Sequence, residues 1–112
     1  MITFEDGPAK GEALTLARAP FLLRVVIDAD GKVDGLDQLT DKPSATEAVH
    51  VYRRIGSAGT AHVDRRDPKT GRRTGHWMAF AKYRLARIQP DDHAARHTDA
   101  WQQWATTNAK NA

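Results

Sequence analysis

Cysteine is absent from this chain, which removes disulfides, thiolate zinc sites and cysteine nucleophiles together. Long apolar runs are missing as well. The longest, Phe21 to Ile27, is interrupted by Arg24 and falls far short of a membrane span. The opening residues Met1-Ile2-Thr3-Phe4-Glu5-Asp6 have neither a basic n-region nor an apolar h-region, so the start reads as native and not as a signal peptide. These two absences make the cytoplasm the expected location and a membrane an unexpected partner. No phosphate-binding glycine loop precedes a helix, and Ser44 and Ser57 lack a G-x-S-x-G context. Helix-turn-helix, zinc-finger and RNA-recognition signatures are missing too. The expectation is a binding module with no cofactor, no catalytic set and no metal.

What is present suits one domain over residues 1–112. Hydrophobic residues are 40% and charged residues 28%, enough for one modest core. The net charge of +3 hides an asymmetry. Residues 1–47 carry five Lys/Arg against nine Asp/Glu, residues 48–90 ten against two, and residues 91–112 two against three. A basic module of +8 therefore sits between acidic flanks, and such a module seeks polyanions.

Ile2-Thr3-Phe4 and Leu14-Thr15-Leu16 alternate around Asp6-Gly7-Pro8-Ala9-Lys10-Gly11, a pattern for a β-hairpin over residues 1–18. Phe21 to Ile27 is apolar on both faces, as in a central strand. Asp28-Ala29-Asp30-Gly31-Lys32 is a turn. Val33, Leu36 and Leu39 recur every third residue, compatible with a helical turn or an irregular strand. Val49 to Ile55 alternates again, and Gly56-Ser57-Ala58-Gly59 reads as a turn after which Ala61 to Arg65 pairs back. Arg66 to Gly75 is a loop or hairpin tip. In the long segment after His76, Trp77, Ala79, Ala81, Tyr83 and Leu85 share a face. Pro90-Asp91-Asp92 then opens a helix over about 91–107, with Ala94, His97, Trp101, Trp104 and Ala105 as its apolar stripe. The expected class is α+β: a small antiparallel sheet of four to six strands with one C-terminal amphipathic helix.

Phe4-Glu5-Asp6-Gly7-Pro8-Ala9-Lys10-Gly11 resembles a motif of short uncharacterised bacterial and phage proteins. These open with a strand, a Gly-Pro-x-x-Gly turn and a second strand, followed by strands rich in Tyr and Arg. Val51-Tyr52-Arg53 and Lys82-Tyr83-Arg84 are similar to those later strands. Many such proteins have two glycines before the proline, where this chain has Asp6-Gly7. The resemblance implies a β-rich fold and carries no function with it.

The basic segment is the leading candidate site. Arg53, Arg54, Arg65, Arg66, Lys69, Arg72 and Arg73 fall in one hairpin-loop-strand stretch, and arginine holds phosphates bidentately. Trp77 or Tyr52 would stack on an unpaired base. The competing readings are a solvated face neutralised by the acidic half of the same molecule, an acidic protein partner, or a homo-oligomer. His93 and His97, four apart, are two ligands without a third. His50, His62 and His76 would form a metal site if their strands converged, and isolated surface histidines are the favoured alternative. Asp28, Asp30, Asp34 and Asp37 lack the spacing and closing Glu of a calcium loop, so a hairpin turn accounts for them better. Trp101 and Trp104 are expected in the core or on a partner surface.

Overall fold

The computed structural model describes residues 1–112. Six strands are followed by two short helices: β1 Ile2–Phe4, β2 Ala13–Leu14, β3 Leu22–Ile27, β4 Val33–Leu36, β5 Ala48–Arg66, β6 Arg73–Leu85, α1 Asp92–Arg96 and α2 Thr98–Asn108. They form one sheet in the order β2-β1-β6-β5-β3-β4. The sheet curls towards a barrel: a side chain on Gly35 of β4 would collide with Leu16, just past β2 at the opposite edge. No helix is long and apolar enough to cross a membrane.

The expected sheet was wholly antiparallel; the observed one is mixed. β1 runs parallel to β6, with Ile2 opposite Ala81 and Phe4 opposite Tyr83. A strand at the chain start has no local reason to choose a partner some eighty residues away. Backbone bonds of Ala81 N to Met1 O and Glu5 N to Tyr83 O fasten it, and the N-terminal amine donates to Ala79 O at 2.6 Å. Burial lowers the pKa of that amine.

The concave face holds Ile2, Phe4, Leu23, Val25, Tyr52 and Tyr83, all buried. Each such apolar side chain contributes about 1.5–3 kcal/mol by leaving water. Tyr52 also organises the Gly-Pro turn: its hydroxyl accepts from Ala9 N at 2.8 Å and donates to Asp6 O at 2.9 Å. Gly7 lies against that hydroxyl with φ +72, so the position excludes a side chain both sterically and conformationally. Tyr83 donates to Pro20 O. Burial pushes the pKa of both phenols upwards.

Leu22, Val51, Ala86 and Trp101 pack on the other face, under α2. Arg24 is fully buried there. Its guanidinium donates to Ala95 O, Gln38 O and Asp41 O and lies 5.0 Å from the Trp101 ring centroid. Burial lowers its pKa, partly offset by the nearby charge of Asp41. The Gln89 amide completes this end by bonding both the N–H and the C=O of Val51, taking the place of a neighbouring strand.

The single C-terminal helix is in fact two. His97 is extended (φ −113, ψ 130), ending α1 and starting α2. Each helix has its own acidic first turn, Asp92 for α1 and Asp99 for α2, and Asp91 caps the first by accepting from Ala94 N at 2.8 Å. His97 is consequently exposed and outside the apolar stripe, while Trp101 is buried as expected.

Candidate nucleic-acid interface

The turn expected at Gly56-Ser57-Ala58-Gly59 does not form. β5 runs straight through it for nineteen residues, with Gly56 to Ala58 bulged out between the pairs Ile55–Lys82 and Gly59–Phe80. Residues 61–65 cannot fold back because Ala48 to Arg53 already pairs with β3 on one side, and β6 takes the other side from Tyr52 onward. They continue outward instead. The chain turns at Asp67 to Arg72, where the Asp67 carboxylate accepts from Lys69 N at 2.8 Å and its carbonyl from Gly71 N, with Gly71 at φ +70.

The result is a two-stranded arm. Beyond Thr60 and Ala79, β5 and β6 are hydrogen-bonded only to each other. The molecule measures 48 × 31 × 28 Å, and its radius of gyration is 15.2 Å. A compact chain of this length would have about 13 Å.

Antiparallel partners share a face, so the register sorts the side chains. One face of the arm carries the pairs Arg66–Arg73, Asp64–Gly75 and His62–Trp77. The opposite face carries Arg65–Thr74, Val63–His76 and Ala61–Met78. His62 and Trp77 meet with centroids 5.1 Å apart at 66°, and His62 Nδ1 lies 3.3 Å from Asp64 Oδ1. A side chain on Gly75 would collide with both His62 and Asp64, so glycine is what lets them lie across β6. Trp77 is 59% exposed.

The seven basic candidates divide into two groups. Arg53 and Arg54 sit at the root, roughly 40 Å along the strand from Arg66 at about 3.3 Å per residue. Arg54 donates to Ala19 O at 2.6 Å and Arg53 lies over Phe21, so both serve the body. Arg65, Arg66, Lys69, Arg72 and Arg73 gather at the tip, all exposed and none in an ion pair. Residues 61–78 hold five Lys/Arg against two Asp, and the rest of the chain holds twelve of each. The whole formal net charge therefore resides on the arm.

His62 and His76 point to opposite faces of the arm and His50 lies in the body, paired with Val25, so the three histidines do not converge. The rings of His93 and His97 sit 4.4 Å apart at the helix break. No three His, Asp or Glu side chains are grouped to hold a metal ion. The Asp28 carboxylate accepts from Asp30 N and Lys32 N, both at 2.9 Å, which is turn chemistry. A groove of about 470 Å³ is open and lies between α2 and the loops around Phe21 and Leu39. In the sequence His62 reads as a surface histidine or one ligand of a three-histidine site, and nothing local singles out Asp64 or Gly75. Centring a hairpin on the six residues Asp67-Pro68-Lys69-Thr70-Gly71-Arg72 would have set His62 opposite Trp77 by counting alone. No protein-family model, curated protein or solved structure matches the chain.

Proposed function

We propose that this protein is a non-enzymatic binding module that contacts nucleic acid through the tip of the β5–β6 arm, with Arg65, Arg66, Lys69, Arg72 and Arg73 on phosphates. The observation that carries the reading is the concentration of the whole net charge on an arm whose cations have no acidic partners.

Binding should weaken steeply as salt rises, with each lost phosphate contact reducing the slope of log affinity against log salt by about 0.7–0.9. Arg72→Ala with Arg73→Ala should lower both affinity and slope and leave the thermal transition unchanged. A folded protein with no binding at low salt would exclude the reading.

Self-association is the second reading, and the charge layout favours it. The acidic β3–β4 turn, with Asp28, Asp30 and Asp34, lies at the end of the sheet opposite the arm tip, because Ile27 pairs with Ala48 and not with the outer part of β5. Head-to-tail contact of tip and turn would give salt-sensitive oligomers. Sedimentation over a range of protein concentrations, without nucleic acid, separates the two readings.

A further inference from the structure

We infer that the ligand of the arm is single-stranded nucleic acid, and that Trp77 is a stacking platform for an unpaired base while Arg66 and Arg73 take the adjoining phosphates. The inference rests on the reading of the arm as a nucleic-acid contact and adds to it what the arm distinguishes.

Its basis is the face on which the register puts these groups. Trp77, Arg73 and Arg66 lie on one side of the ribbon, and Arg65 on the other. From Trp77 to Arg73 the strand spans about 13 Å, room for a base on the indole and the backbone of its neighbours on the guanidiniums. The side chain of Arg66 reaches over the tip turn towards Gly71, placing its charge at the end of that face. Between the two ends lies Asp64, held beside His62 and opposite a residue with no side chain. Its carboxylate repels phosphate, so the backbone is kept to the tip and the middle of the face is left to bases.

The aromatic pair is built in a way the fold does not require. Trp77 lies outside the core cluster that contains Ala79, Ala81 and Tyr83 on the same face of the same strand. The imidazole of His62 props the indole at a steep angle without covering it. An exposed, laterally supported indole beside two free guanidiniums matches what single strands use: a π-face for sequence-tolerant stacking and cations that follow the backbone. A duplex keeps its bases stacked on one another and presents phosphates with no free base face, so it would use the arginines and leave Trp77 idle.

The test measures fluorescence anisotropy of three labelled probes of about 12 nucleotides: an unstructured single strand, the same strand with abasic sites through its centre, and the matching duplex. The full chain should bind the single strand more tightly than the other two. Trp77→Ala should weaken single-strand binding about tenfold, leave duplex and abasic binding within about twofold, and leave the salt slope unchanged. Trp77→Phe should restore most of the loss. Arg73→Ala should weaken all three probes and lower the slope. Equal binding of the three probes, indifferent to Trp77→Ala but sensitive to Arg73→Ala, would overturn the stacking inference and leave the arm reading standing. No binding of any probe at about 50 mM salt would overturn both.

Discussion

Body and arm contain the same residue types and use them in opposite ways. In the body, arginine is a clamp for backbone. Arg24 bridges three carbonyls, Arg54 holds Ala19 O, Arg96 donates to Ser44 O and Glu47 O, and Arg84 is paired with Glu5 at 3.1 Å. In the arm, five cations stand exposed at the end of a ribbon that has neither core nor ion-pair partners. Tryptophan divides in the same way: Trp101 is 4% exposed under Arg24, and Trp77 is 59% exposed beside His62. Neither residue type nor local pattern separates the two uses. What separates them is whether the segment that carries them is packed against the body or stands clear of it.

The sharpest way to test that contrast is to remove one indole from each region. Trp101→Ala empties a closed site and should destabilise the protein by about 3–5 kcal/mol. Trp77→Ala should change stability by no more than about 0.5 kcal/mol. Urea denaturation of the two variants measures both, and a large loss for Trp77→Ala would mean that the arm belongs to the cooperative body.

Arginine supplies the next test. Arg24→Met keeps much of the volume but strips three buried or half-buried carbonyls of their donor, a loss of about 2–3 kcal/mol. Arg72→Ala with Arg73→Ala should lie within about 0.5 kcal/mol of the parent. Equal effects would show that the arm cations also hold structure.

Alkali gives the smallest effect and touches the body alone. Tyr83 is held protonated by burial, whereas unfolded tyrosine ionises near 10.0. Its contribution is complete below that pH. It declines as pH rises further, since the unfolded state then releases the proton first, by about 1 kcal/mol over the first pH unit. Tyr83→Phe should flatten the alkaline decline of the unfolding midpoint. An unchanged profile would assign the decline to other groups, Tyr52 among them.

By itself the sequence determined the elements whose causes are local. The apolar run around Leu23, the alternation around Val51 and Tyr83, the turn at residues 28–32, the loop or hairpin tip at residues 66–75, and the acidic start at Asp91 and Asp92 follow from side-chain period and turn chemistry within a few residues. It also determined that the basic charge lies in residues 48–90. Pairing is not a local property, and there the tertiary structure decided. Gly56-Ser57-Ala58-Gly59 has the composition of a turn, yet becomes a bulge because β3 and β6 occupy both sides of β5. Ile2-Thr3-Phe4 finds a parallel partner in the last strand because both bury the same face. The excess of eight positive charges in residues 48–90 is likewise divided by pairing: Arg53, Arg54 and Arg84 are drawn to body partners, and Arg65, Arg66, Lys69, Arg72 and Arg73 are carried beyond reach of the acidic flanks. Charge in a sequence adds up along the chain, but its neutralisation depends on distance in space.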